Sequence, residues 1–286
     1  MESIENNKLL SKINNVEVDR YGVVSGVFAI DKPVWVMSHD VVSQIRRRLG
    51  TRTVGHAGAL DPFASGVLLI LVGKKYTRHS DALLNMSKTY LMRILLGVQS
   101  ISLDIESPIN RVNDDYQTIS EETIREVLDS FDGGYKQQVP IFSSVKVNGK
   151  KLRVLARGSN GFKLTTKDSK VYVIFEKFAG RDIEFEVPTK EVKLSDIKLI
   201  ATGNIDNQNL PDRWEYGKLP DFPLQYADVE FTCSKGTYAR QFAADIADKL
   251  GTVGMLIGLT RTRVGDISLP ECIKLEDINY PNFQVY

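Results

Sequence analysis

The sequence reads as a mixture of strands and helices, in keeping with an α+β fold, and three observations carry that reading. Ala227–Cys233 alternates strictly between apolar and polar residues, the pattern of a strand with one buried face, and Val171, Val173 and Phe175, then Ile183, Phe185 and Val187, repeat the same period. Ile124, Val127, Leu128 and Phe131 instead fall at i, i+3, i+4 and i+7, which marks an amphipathic helix over 118–131. Val67–Val72 is a short unbroken apolar run of the kind that makes a buried strand or a buried helix turn. This mixture agrees with the α+β class but does not by itself order a sheet.

Taken along the chain, Gly26–Pro33 reads as a short strand closed by Pro33. Ser38 is placed to cap a helix whose apolar face is Val41, Val42, Ile45 and Leu49, ended by Gly50. Gly55–Val67 packs glycines, small residues, one histidine and one carboxylate into a tight loop anchored on the apolar run behind it. Pro62 biases Asp61 away from the helical region. Asp-Pro alone would read as a simple turn opener, but a loop tied directly to core is a stiff platform for a reacting group. Lys88–Gly97 is strand-like, and Thr118 with Glu121 makes a capping box for the 118–131 helix. Residues 201–226, rich in Gly, Asn, Asp and Pro, read as an inserted polar loop. Ser234–Arg240 leads from the alternating strand into a helix with Phe242, Ile246 and Leu250 on one face, closed by Gly251.

Composition narrows the function classes. With 42% apolar and 26% charged residues over 286 positions, the chain is ordinary globular material, enough for one large domain or two modest ones. No apolar run approaches the roughly 18 residues of a membrane span, so no membrane partner is expected. Met1–Arg20 carries Glu2, Glu5, Glu17 and Asp19 with few basic residues, unlike a signal or transit peptide. Cys233 and Cys272 have neither disulfide-framework nor metal-site spacing, which points to a reduced, cytoplasmic setting without zinc. No phosphate-binding glycine motif or metal cluster occurs, and three histidines make a histidine-based metal site or a Ser-His-Asp triad improbable. Net charge is only +1, yet three basic groups flank the candidate segments: Arg46, Arg47, Arg48 and Arg52; Lys74, Lys75 and Arg78; and Lys146, Lys150, Lys151, Arg153 and Arg157. Each alone reads as a solvated face; together they fit a local surface that tracks phosphates.

Gly55-His56-Ala57-Gly58-Ala59-Leu60-Asp61-Pro62-Phe63-Ala64-Ser65-Gly66-Val67-Leu68 resembles the catalytic motif of the TruB family of pseudouridine synthases, usually G-H-T-G-[AS]-L-D-P-x-A-[ST]-G-[VML]-L, with Ala57 in place of Thr. Asp31-Lys32-Pro33 and Ser38 match an earlier family segment in the same register, with Trp35 where Gly is usual and Met37 where Ser or Thr is. Lys88-Thr89-Tyr90 matches K-x-Y, and Ser102-Leu103-Asp104 loosely resembles the element after it. Gln137–Leu152 resembles Q-x-P-P-x-[YF]-S-A-x-K-x-x-G-x-[RK]-[LA], with Val139 and Ser144 as departures and Ala156-Arg157 continuing the match. Cys233-Ser234-Lys235-Gly236-Thr237-Tyr238-Ala239-Arg240 and the closing Leu259-to-Gly265 segment complete it, while 160–226 matches poorly.

The resemblance implies an α+β fold, a mixed, largely antiparallel sheet with flanking helices and a cleft across its middle. It implies that Asp61 is the nucleophile or base, that Arg240 pairs with it, and that Tyr90 stacks on the target base. His56, Tyr238, Leu259, Lys32 and Lys146 would meet the substrate. The expected reaction is conversion of the tRNA T-loop uridine at position 55 to pseudouridine, without a cofactor or metal, by a cytoplasmic monomer acting on the T arm. Residues 1–24 are expected as an N-terminal extension, 25–278 as the catalytic domain with 137–158 as an RNA-gripping loop, and 279–286 as a short tail without the RNA-binding PUA domain. A non-catalytic RNA-binding or RNA-folding module on the same scaffold is the alternative. A two-carboxylate glycosidase ranks last, since the Asp61 loop holds no second acid.

Overall fold

The structure, a computed structural model, describes residues 13–14, 16–20, 24–205, 219–220 and 222–278. In chain order the strands used below are β1 (Val16–Val18), β2 (Val24–Lys32), β3 (Val54–Ala57), β4 (Ser65–Val72), β5 (Lys88–Leu96), β6 (Tyr135–Gln138), β7 (Gly161–Lys167), β8 (Lys170–Phe178), β9 (Arg181–Glu186), β10 (Thr189–Val192), β11 (Leu194–Ile205), β12 (Leu224–Cys233) and β13 (Gly254–Val264). The helices are α1 (Ser38–Arg48), α2 (Glu121–Asp129), α3 (Leu152–Gly158) and α4 (Ala239–Lys249).

The described residues form a ten-stranded sheet whose main path runs β1-β2-β4-β13-β5-β12-β11, with β3 branching onto β4. Most pairings are antiparallel, and β4 meets β13 in parallel through Thr260–Ser65 and Arg261–Gly66. This is the mixed, largely antiparallel sheet of an α+β fold. The Val67–Val72 run is unbroken because β4 is buried on both sides. Leu68 and Ile70 join Phe28, Ile30, Val41 and Ile45 beneath α1, whereas Leu69 and Leu71 join Val27, Ala29 and Val264 on the other face. On β12, Ala227, Val229, Phe231 and Cys233 pack with Phe242, Ile246 and Ile124 of α4 and α2, leaving Asp228 free to form a bidentate pair with Arg93 at 2.7 Å. A smaller three-stranded sheet, β7-β8-β9, closes over α3 with its own core of Leu152, Leu155, Val173, Phe175 and Val187.

Several expectations need correction. The 201–226 loop is strand at both ends, since β11 extends to Ile205 and β12 begins at Leu224; residues 206–218 and 221 lie outside the described residues. Part of the 1–24 extension belongs to the sheet, because β1 pairs with β2 from Val16–Gly26 to Val18–Val24. The 137–158 loop contains the end of β6, a two-residue hairpin pairing Lys146–Val147 with Lys150–Lys151, and α3. Ser120, not Thr118, caps α2 by accepting from the Thr123 N–H, because it stands one residue before the first helical position. Ser38 is the first helical residue of α1 and its cap is Met37, which frees the serine hydroxyl for the Asp61 loop.

Backbone demands in that loop fall on Gly58, at φ +92°, and on Gly66, but not on Gly55. Gly55 sits in β3 with ordinary backbone angles, and a Cβ there would meet nothing within 4 Å. Gly66 has φ +100°, and a Cβ would stand 2.3 Å from the Arg261 carbonyl oxygen at the parallel β4–β13 crossing. Gly66→Ala is expected to cost roughly 2–4 kcal/mol of stability, and Gly55→Ala less than about 1 kcal/mol, measured by chemical unfolding; equal costs would contradict the register at that crossing.

Candidate active site

Asp61 stands between β3 and β4, on a loop held from three directions. Ser38 Oγ accepts from the Leu60 N–H at 2.9 Å and donates to the Leu60 carbonyl at 3.1 Å. Lys32, with no exposed surface, donates to the carbonyls of Pro33, Val36 and Pro62 at 2.9, 2.6 and 3.3 Å. The Trp35 N–H donates to the Pro62 carbonyl at 2.7 Å. Trp35 holds φ +63°, so the turn keeps the left-handed geometry that a glycine would occupy without strain. Lys32 therefore braces the loop from within, and its expected place against substrate is corrected. Burial lowers its pKa to about 8, with Asp61 opposing and Arg261 adding to that shift.

Opposite the loop, Arg240 lies in the first turn of α4 and is 6% exposed. A cation there faces the positive end of the helix dipole, so it needs anions in front of it. It has two: its Nε lies 2.9 Å from Asp61 Oδ2 and 3.3 Å from Asp104 Oδ2. Its remaining N–H groups donate to the Ser102 carbonyl at 3.0 Å and the Phe142 carbonyl at 3.2 Å. Burial works against the charge, but Asp61, Asp104 and Glu106 together hold the guanidinium more firmly protonated than usual. The Asp61 side chain is 39% exposed and that of Asp104 only 2%, so Asp61 is the carboxylate of the pair that a ligand can reach.

Asp61 opens into a cavity of about 650 Å³ that is also lined by His56, Tyr90, Tyr238, Leu259 and Arg153. Tyr90 stacks on Phe231 with ring centroids 5.5 Å apart and planes at 23°, which fixes one face of the phenol ring. Burial raises its pKa. Burial, with Arg261 and His39, lowers the pKa of His56, favouring neutral imidazole; its buried Nδ1 has no hydrogen-bond partner among the described residues. Leu259 supplies an apolar wall at 7% exposure. A second cavity of about 460 Å³ lies beyond Ser102 and Phe142, lined also by Gln241 and Asp245, and contains none of the residues assigned a role in the reaction.

The cavity thus unites six of the eight site residues: Asp61, Arg240, Tyr90, His56, Tyr238 and Leu259. Lys32 lies beneath it, and Lys146 is exposed on its hairpin without lining it. The three basic groups also divide. Arg46 donates to the Val54 carbonyl at 2.8 Å and Arg48 bonds the carbonyls of Leu275 and Ile278, so both brace the fold. Lys75 pairs with Glu17, and Arg153 reaches the cavity.

Sequence reasoning missed Asp104, Glu106 and Arg261. Arg261, 1% exposed, donates to the carbonyls of Val67 at 2.7 Å and Gly58 at 3.0 Å, joining β13 to both ends of the Asp61 loop. Glu106 accepts from the Phe63 N–H at 3.2 Å. Asp104 and Arg261 stand inside segments that match the family, and a charge within such a segment was the available signal; Glu106 lies two residues beyond Asp104.

Comparison with known proteins adds to this geometry. The model of the TruB family pseudouridylate synthases, N-terminal domain, matches residues 46–192. The tRNA pseudouridine synthase B of Bacillus subtilis is 36% identical over 256 residues, covering 90% of this chain and 70% of that protein. That of Protochlamydia amoebophila is 34% identical over 256 residues, covering 90% and 80%. Among solved structures, a Cbf5-Nop10-Gar1 complex aligns with a TM-score of 0.56 at 21% identity over 93% of this chain and 60% of the other, a likeness of fold.

Burial, then Asp104 and Asp61, push Glu106 up to about 7. A raised carboxyl group favours the folded state while protonated, so its contribution is complete below its ordinary value of 4.5 and is lost as pH rises through about 7. Unfolding in guanidinium chloride at about pH 5 and about pH 8 should show wild type losing more stability across that interval than Glu106→Gln; equal losses would place the Glu106 carboxyl in open solvent.

Proposed function

The chain belongs to the TruB family of pseudouridylate synthases, and on that premise we propose that it converts the T-loop uridine at position 55 of tRNA to pseudouridine, with Asp61 as the reacting carboxylate. The observation that carries this reading is the 2.9 Å pair between exposed Asp61 and buried Arg240, made across 179 residues of sequence at the edge of a nucleotide-sized cavity.

The reaction breaks the N1–C1′ bond, turns the uracil and rejoins it through C5; the C5 proton is lost and N1 gains one. Nothing is oxidised. A free carboxylate serves it by attacking the sugar or by taking a proton from it, and either role requires Asp61 to stay ionised once RNA excludes water. The Arg240 guanidinium supplies that bias: at an effective dielectric of about 20, charges about 4 Å apart attract by roughly 4 kcal/mol before desolvation.

The target base must leave its stack, at a cost of a few kcal/mol. Tyr90 offers the ring that offsets it, with stacking worth about 1–3 kcal/mol. His56 occupies the wall on the β3 side, and Tyr238 and Leu259 enclose the base. Arg153 at the rim, with Lys146 and its neighbours beyond, suits the phosphates of the T arm. We take the enzyme to act as a monomer in the cytoplasm.

A non-catalytic RNA-binding module is not favoured, because such a module needs no ionised carboxylate at the cavity mouth. A two-carboxylate glycosidase is likewise not supported: Asp104 is near in space, but it is sealed under Arg240 and does not line the cavity. Asp61→Asn should lower tritium release from 5-labelled uridine in tRNA by at least about a thousandfold, while tRNA binding by filter retention stays within about threefold. Wild-type turnover in a clean Asp61→Asn preparation would overturn the assignment.

A further inference from the structure

We propose that Gln137 is a positioning residue for this reaction: its side-chain amide fixes the backbone of Tyr238, and with it the first turn of α4 and the Arg240 guanidinium. The inference rests on the pseudouridine synthase reading and adds a residue that the reading does not use.

Helix α4 begins at Ala239 after Tyr238, and no cap side chain satisfies its first N–H groups. One of them, the Tyr238 N–H, is satisfied from a distant strand. Gln137, near the end of β6 and 1% exposed, accepts from the Tyr238 N–H at 2.8 Å through Oε1 and donates from Nε2 to the Tyr238 carbonyl at 3.2 Å. That same carbonyl accepts the first helical bond, from the Phe242 N–H at 3.0 Å. One amide thus grips both polar groups of the residue on which the helix starts.

The amide can face only one way. Its Nε2 also donates to the Tyr135 hydroxyl at 2.8 Å, and that hydroxyl donates to Asp245 Oδ2 on α4. Asp245 is held in turn by Gln241 Nε2 at 2.8 Å. Turning the amide over would set its NH₂ against the Tyr238 N–H and its oxygen against the Tyr238 carbonyl. The orientation is therefore locked from α4 itself, two turns further along.

The segment that carries Gln137 also touches Arg240 directly, five residues later, through the Phe142 carbonyl at 3.2 Å from Nη2. Residues 137–142 are thus fastened at both ends to the turn that holds the catalytic guanidinium, and they run straight into 143–158, where Ser143, Ser144 and Arg153 line the cavity. Two hydrogen-bonded links therefore join this segment to the turn that carries Arg240.

The test is single-turnover tritium release at saturating protein, with tRNA affinity measured separately and folding checked by thermal unfolding. Gln137→Leu is expected to slow the reaction about 10- to 100-fold with affinity within about threefold of wild type, as a small misplacement of a reacting group does. Tyr135→Phe, which leaves Gln137 in place but frees its amide, should lose about threefold in the same sense. In an Arg240→Lys background Gln137→Leu should cost less than about twofold further, because the group it positions is already altered. A folded Gln137→Leu with a rate within about twofold of wild type overturns the proposal, as does the same loss in both backgrounds. If Gln137→Leu does not fold, a Tyr135→Phe rate equal to wild type overturns it. An inactive wild type would instead refute the reading beneath, whatever Gln137 does.

Discussion

A guanidinium that is 6% exposed at the start of a helix is the constraint around which the site is arranged. Taking one charge out of water costs several kcal/mol, a sum that its attraction to a single carboxylate only roughly offsets. Arg240 is kept charged because four groups from three stretches of chain converge on it: Asp61, Asp104 with the nearby Ser102 carbonyl, and the Phe142 carbonyl. Such an arrangement adds little net stability over an apolar one, so its use is geometric. It places one ionised oxygen at a set point on a cavity wall; without Arg240 the buried Asp104 would lose its cation, whereas without Asp61 the guanidinium would keep Asp104 alone.

The Asp61 loop is built to receive that charge without moving. Ser38, Lys32 and Trp35 hold its near side, Arg261 ties both its ends to β13, and Glu106 meets it at Phe63. Buried cations and a strained tryptophan are costly ways to hold a loop, and the reward is a carboxylate whose position does not depend on solvent. Tyr90, stacked on Phe231, is stiffened in the same manner, so the cavity presents a ready face to an extruded base.

Much of this was legible in the sequence, for identifiable reasons. Asp61, Tyr90 and Arg240 stand inside dense motifs, and the periods of 227–233 and of Phe242, Ile246 and Leu250 follow directly from which faces are buried. Lys32 is expected against substrate only through its place in a matched segment, whereas the chain turns it inward onto three carbonyls. Asp104 and Arg261 were passed over because nothing local marks a charge as buried; their burial follows from β13 lying beside β4 and from the loop after β5 folding under α4. Arg46 and Arg48 counted toward a basic surface, yet their guanidinium groups bond to carbonyls of β3 and the C-terminal segment. The strand ends at 201–205 and 224–226 were hidden by the polar residues between them.

The carboxylate–guanidinium pair and the cavity beside it join the fold to the chemistry, and in the reaction the cation acts through the carboxylate it faces. The most direct measurement is therefore the single-turnover rate of pseudouridine formation in unmodified tRNA by folded Arg240→Met, mapped by mass spectrometry, with tRNA binding measured in parallel. The account predicts a fall of at least about a hundredfold with binding nearly intact. A rate close to wild type would contradict it, because Asp61 would then do its chemistry without the charge that the rest of the site is arranged to hold.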